Sequence, residues 1–128
     1  MIAAKVGAGF GSAEQNRKVE AAAIRKVTRE LKSRGYSVVS RERDKIAYDL
    51  DATKGRSELH VEVKGITGVA LKFPITSSEK KRAANDKAFR LMVVTRALTS
   101  AAEIHEYRGK HLERRFKLSP IAYYAELI

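Results

Sequence analysis

Two runs of alternating side chains, Ile46–Ala52 and Glu58–Lys64, flank the segment Thr53-Lys54-Gly55-Arg56-Ser57. This stretch constrains the fold more than any other. A glycine in so short a connection supplies the positive φ of a tight turn and commits the two runs to an antiparallel hairpin. If Gly55-Arg56 form a two-residue turn, Lys54 faces Ser57, and counting outward sets Asp49 opposite Glu62, with Cβ atoms about 4.5–5.5 Å apart. Side chains alternate along a strand, so Leu59, Val61 and Val63 share one face, and His60, Glu62 and Lys64 share the other. The expected result is two carboxylates side by side with an ammonium two residues further on.

Around this hairpin the periodicities predict a mixed sheet flanked by helices. Ser12 followed by Gln15 fits a capping box, and Val19, Ala23, Val27 and Leu31 recur at helical spacing, giving a long helix over 13–34 that ends at Gly35. Tyr36–Arg41 reads as a short strand, and Glu42–Lys45 as a charged turn. Leu71–Ile75 reads as another strand. Thr76–Asn85 reads as a short helix capped by Thr76 with Glu79 at its N3 position, and Phe89–Thr95 as a buried strand. Ala101–His111 is expected to be helical, and Pro120–Ile128 a final strand or helix. The Gly7-Ala8-Gly9-Phe10-Gly11 segment lacks the preceding strand and following Gly-Lys-Ser/Thr of a phosphate loop, and reads as a flexible lead-in with Phe10 buried.

Length and composition narrow the chemistry. The chain has 128 residues, enough for one core and too few for two, so a single domain over 1–128 is expected, with a core at about 12–98 and a basic C-terminal extension at 99–128. There is no cysteine, which excludes disulfides, thiolate nucleophiles and Cys-based metal sites. No apolar run reaches the roughly 20 residues of a membrane span, so a cytoplasmic protein without a membrane partner is the expectation. The 26 Lys and Arg against 15 Asp and Glu leave a net charge of +11, a field that recruits polyanions, DNA foremost.

Adjacent carboxylates repel and raise each other's pKa, a cost that makes sense if a hard divalent cation normally lies between them. Magnesium, or manganese, fits Asp49 and Glu62. Such an ion beside Lys64 would supply what phosphodiester hydrolysis needs: an activated water, a neutralised phosphoryl oxygen and a stabilised leaving oxygen. Glu20 shares a helical face with Ile24, Val27 and Leu31, an unusual place for an acid.

Tyr48-Asp49-Leu50 and then Val61-Glu62-Val63-Lys64-Gly65, with twelve residues between Asp49 and Glu62, resemble the D…(D/E)xK signature of the restriction-endonuclease-like, or PD-(D/E)XK, superfamily. More narrowly, the run from Gly7–Gly11 through Asn16, Val19-Glu20, Gly35-Tyr36, that signature, and Phe73-Pro74-Ile75-Thr76 with Glu79 resembles the domain named after the C-terminus of the plant protein NO VEIN, over about residues 7–98. That family is similar to Mrr-like endonucleases and often accompanies restriction or helicase modules. The resemblance implies Asp49 and Glu62 as metal ligands, Lys64 as the catalytic lysine and Glu20 as an accessory acid. Tyr48 stands where the superfamily has its nominal proline, and Ala47 where a glycine often precedes Tyr-Asp.

Plainer alternatives stand beside these readings. Asp49, Glu62 and Lys64 would also suit an exposed sheet face laced with ion pairs. Glu20 would suit a surface acid paired with Lys26 or Arg17, Asp51 a counter-charge to Lys54, and His60 an ordinary exposed strand histidine. His105 and His111 lack the companions of a zinc site. Lys80-Lys81-Arg82, and Arg108, Lys110, Arg114 and Arg115 interleaved with Tyr107 and Phe116, suit contacts to nucleic-acid phosphates as well as solvated helix faces. The sequence therefore leads to a metal-dependent DNA endonuclease in a restriction, defence or DNA-processing setting. A homodimer or a partner restriction or helicase subunit is expected if both strands are cut. Its rivals are a non-catalytic nucleic-acid-binding module of such a system and a structural domain.

Overall fold

The computed structural model describes residues 12–123 and 125–128. Residues 1–11, with the expected Gly7–Gly11 lead-in and Phe10, lie outside the described residues, as does Tyr124. Five strands, β1 (Ser37–Ser40), β2 (Leu50–Lys54), β3 (Ser57–Gly65), β4 (Phe89–Thr95) and β5 (Glu103–Arg108), form one sheet in the order β1-β2-β3-β4-β5. Only the β3–β4 pair is parallel. Helix α1 (Ala13–Ser33) covers one face; α2 (Ser77–Asn85), a 3₁₀ turn (Gly109–His111) and the single-turn α3 (Leu112–Arg115) contribute to the other. The expected mixed α/β architecture is present. No helix among the described residues is long and apolar enough to cross a membrane.

Local chemistry explains the helix limits. The Ser12 hydroxyl accepts from the Gln15 amide at 3.1 Å, satisfying one orphan donor at the start of α1. At its other end Gly35, at φ 94°, lets the Gly35 amide reach Lys32 O and the Tyr36 amide reach Leu31 O, the paired bonds of a Schellman motif. Thr76 and Glu79 complete the capping box of α2 in both directions. Gly55, at φ 58°, is the first central residue of the β2–β3 turn, and Lys54 pairs with Ser57 as expected.

The core has two layers, one on each side of the sheet. Val19, Ala23, Val27 and Leu31 of α1 meet Leu50, Ala52, Leu59, Val61, Val63, Met92 and Val94. On the opposite side Phe89, Leu91 and Val93 of β4 lie under Tyr48, Ala83 and Leu112. Burying each Leu or Phe stabilises the fold by about 1.5–3 kcal/mol. This second layer is apolar along β4 but carries His60, Glu62 and Lys64 along β3.

Four expected elements differ. The strand expected over Ile46–Ala52 begins only at Leu50, because Lys45 turns left-handed (φ 52°) and residues 46–49 run outside the ladder. Leu71–Ile75 is not a strand. Its alternation is real, with Leu71, Phe73 and Ile75 facing inward, but they pack over the second layer, and both sides of β3, the strand before the segment, are taken by β2 and β4. Ala101–His111 is not helical: it forms β5 and the following 3₁₀ turn. Ile104 belongs to the α1 layer and Tyr107 to the other, a division suited to a strand with both faces covered. The described residues of Pro120–Ile128 form neither helix nor strand.

Candidate active site

Asp49 sits one residue before β2, where the hairpin register carried one step further meets Glu62. Its amide donates to Val61 O at 2.8 Å, and its carbonyl accepts from the Arg41 amide at 2.7 Å. Because β2 has not yet begun, the Val63 amide is left for a side chain, and it donates to Asp49 Oδ2 at 2.8 Å. Burial is the largest influence on this carboxyl and raises its pKa; the Val63 amide and Lys64 oppose that, while Glu20 and Glu42 add to it.

Glu62 is only 5% exposed. Burial pushes its carboxyl up to about 9, with Lys64 opposing and the charges of Asp49 and Glu79 adding. Lys64 Nζ lies 3.2 Å from Glu62 Oε2 and donates to Glu79 Oε1 at 2.9 Å. Burial alone would lower Lys64, yet the two carboxylates outweigh it and the ammonium titrates above its usual range. Burial likewise works against an ionised Glu79, but Lys64, the Thr76 amide and a hydrogen bond with Glu62 outweigh it and hold Glu79 below its usual range. The ammonium is therefore firmly charged between two carboxylates, one ionised and one that resists ionisation.

These groups open into one cleft of ≈ 590 Å³, whose lining includes Glu20, Asp49, Glu62, Lys64, Lys72 and Glu79. Val19 and Ala23 bring the N-terminal half of α1 against the end of β3, where a Cβ on Gly65 would stand 2.8 Å from Val19 Cγ1 and 2.9 Å from Val19 O. That close approach carries the exposed Glu20 to the cleft rim. Asp49, Glu62, Lys64 and Glu20 thus converge as a set. Sequence reasoning gave Glu79 only a capping part and missed Lys72, Gln15 and Asn16 in the lining. The alternation of Leu71, Phe73 and Ile75 marks Lys72 as outward-facing, but nothing local says toward what.

Further along the same face lies a separate ionic network. His60 Nδ1 donates to Asp86 Oδ2 at 2.6 Å, and His60 Nε2 donates to Glu58. Both ring nitrogens face carboxylates, which favours the protonated imidazole; those bonds outweigh burial and raise its pKa. Its ring stacks on Tyr48 at 4.6 Å, and Tyr48 donates to Asp51 Oδ1 at 2.7 Å. Asp51 pairs with Arg41, not with Lys54, whose ammonium instead donates to Arg34 O at 2.7 Å. Tyr48 is thus the hub that fixes the 41–49 loop, and with it the Asp49 backbone. His60 is part-buried and bonded on both sides, unlike an ordinary exposed strand histidine.

The basic residues divide. Lys80, Lys81 and Arg82 lie on α2; Arg82 is held over the Tyr48 ring at 5.1 Å and pairs with Asp86 at 3.2 Å, Lys80 stands 4.0 Å from Glu113, and Lys81 is exposed. Arg108 and Arg115 line a second concavity of ≈ 500 Å³ with Arg34, Arg90 and His111, apart from the cleft, while Lys110 and Arg114 are exposed.

A family model described as Protein NO VEIN, C-terminal, matches residues 19–107, more than half of the chain, and the matched stretch contains Glu20, Asp49, Glu62, Lys64 and Glu79. No curated protein and no solved structure gives a significant match.

Proposed function

The chain belongs to the NO VEIN C-terminal domain family, and on that premise we propose that it is a metal-dependent nuclease of the PD-(D/E)XK type that hydrolyses DNA phosphodiesters. The observation that carries this reading is the convergence of Asp49, Glu62 and Lys64 in one cleft, with both carboxyls held above their usual range. Two such groups side by side form a site short of positive charge. Their donor atoms are all oxygen, which suits magnesium or manganese. A divalent cation held there supplies charge neutralisation at a phosphoryl oxygen and acidifies a water molecule.

The remaining steps belong to side chains of this chain. Asp49, fixed by the Val63 amide, and Glu62 on the neighbouring strand are the residues that would hold the cation. Lys64 lines the same cleft, where it would hold the attacking water or a phosphate oxygen, and its ammonium would stabilise the charge that builds up in the transition state. Glu20 at the rim can orient water. The net charge of +11 supports DNA as the partner. One site cuts one strand, so a double-strand break requires a second copy or a partner restriction or helicase subunit.

Supercoiled plasmid incubated with the purified chain and Mg²⁺ or Mn²⁺ should be nicked or linearised, with EDTA abolishing the reaction and Glu62→Gln removing it. Wild type that binds DNA in a salt-dependent manner, yet leaves it intact under all these conditions, would instead make the domain a non-catalytic binding module.

Glu62 also makes a stability prediction. Its folded pKa of about 9 lies above the ordinary 4.5, so between those values the folded state keeps a proton that the unfolded chain has released. Metal-free stability from this group is therefore full below pH 4.5, falls as pH rises through the window, and levels off above 9. Glu62→Gln should flatten that slope and, at pH 8, be at least as stable as the metal-free wild type. Magnesium should raise the Tm of wild type, more at pH 8 than at pH 6, and leave the variant unmoved. Parallel thermal melts of the two proteins, with and without Mg²⁺, measure this; identical responses would remove Glu62 from the metal site.

A further inference from the structure

Glu79 is more than a helix cap. Its Oε1 accepts from the Thr76 amide at 3.0 Å and, at the same atom, from Lys64 Nζ at 2.9 Å. The first bond locks the start of α2; the second reaches across to β3. Both Lys64 and Glu79 have side chains only 15% exposed. Lys64 has four flexible methylenes, and Glu62 beside it lies at the longer distance of 3.2 Å. The shorter bond comes from an oxygen whose own position is set by a capping box, so the ammonium takes its place from α2 rather than from its own strand.

We propose that Glu79 is a positioning residue that holds the Lys64 ammonium at the cleft and makes the N-terminus of α2 a structural part of the active site. The role rests on the nuclease reading for its consequence in catalysis, but its geometry can be tested without that reading. Capping and positioning are separable by substitution. Glutamine serves at N3 of a capping box as well as glutamate, so Glu79→Gln keeps the bond to the Thr76 amide and removes the charge that holds Lys64. Thr76→Ala removes the hydroxyl that accepts from the Glu79 amide and leaves the Glu79–Lys64 pair in place.

The two variants should behave in opposite ways. Glu79→Gln should keep a near-wild-type Tm and lose about 10–100-fold in kcat, with KM for DNA unchanged. Thr76→Ala should lower the melting temperature and keep kcat. A Glu79→Gln protein that cleaves like wild type, or equal kcat losses in the two variants, would overturn the proposal. A second readout does not depend on catalysis. The Lys64 ammonium, shielded and hydrogen-bonded, should give a slowly exchanging NH₃⁺ resonance in ¹⁵N-lysine-labelled protein, assigned by its disappearance in Lys64→Met. That resonance should exchange faster and broaden in Glu79→Gln, whose neutral oxygen still accepts but no longer holds the ammonium by charge, and should be unchanged in Thr76→Ala. If wild-type protein does not cut DNA but this pattern holds, the nuclease reading fails and the positioning role stands. If the resonance exchanges no faster in Glu79→Gln than in wild type, the positioning role fails whether or not DNA is cut.

Discussion

Asp49→Asn is expected to lower single-turnover DNA cleavage by about 10³-fold while leaving the fold intact. Asparagine has the same shape, and its amide oxygen still accepts from the Val63 amide that Asp49 Oδ2 now meets at 2.8 Å. The loop carrying it is held independently, through Asp51 by Arg41 and Tyr48. What disappears is the negative charge that a divalent cation needs. The substitution also relieves the repulsion that Glu20 and Glu42 exert on a buried carboxylate, so the melting temperature should be equal to or above that of wild type. Cleavage at saturating protein, followed across a Mg²⁺ titration, gives the rate, and circular dichroism gives the fold. An Asp49→Asn protein that cuts at the wild-type rate would move the metal away from this residue and remove the centre of the proposed site.

Gly109→Ala should destabilise the domain by about 3 kcal/mol, near the upper end for overpacking. Gly109 is buried in the 3₁₀ turn after β5, and an added Cβ would stand 2.3 Å from Ala83 O and 3.0 Å from Ala83 C and Cα. These are backbone atoms of α2, which cannot swing aside as a flexible side-chain tip would. Either the turn or the whole helix must move. Against a total stability of about 5–15 kcal/mol that loss is large, and a urea midpoint measures it directly. The same displacement should loosen Glu79 and Lys64, because α2 carries the cap that positions them. Gly55→Ala is a fitting control: nothing lies within 4 Å of its added Cβ, and only its φ of 58° penalises the substitution. Equal midpoints for the two variants would mean that α2 is not held by the 3₁₀ turn.

The elements that were legible in the sequence are those whose cause is local. The stripe of Val19, Ala23, Val27 and Leu31, the glycine at 35, the Thr76–Glu79 box and the Gly55 turn each act within a few residues, and each appears in the structure as expected. The hairpin register followed from the turn, and it brought Asp49 to Glu62 without any knowledge of the rest of the chain. Where the deciding partner was distant, the sequence misled. Ile104 and Tyr107, three apart, suit one face of a helix. They became a strand because β4 offered a free edge, with α1 waiting on one side and Phe116 and Leu112 on the other. Leu71, Phe73 and Ile75 have the alternation of a strand but could not pair with β3, because both of its sides were taken, and they pack over the second layer instead.

The site divides in the same way. The residue types, their alternation on β3 and the turn that aligns them determined that two acids and a lysine would share a surface, since strand geometry alone dictates that outcome. Only the tertiary structure decided that the surface would be closed into a cleft, that Glu20 would reach its rim through the close contact at Gly65, and that Glu79 would hold Lys64. The physical reason is range. Backbone conformation is set by neighbours along the chain, whereas burial and charge pairing, which raise Glu62 and keep Lys64 charged, arise from groups that meet only after the sheet and its two covering layers have formed.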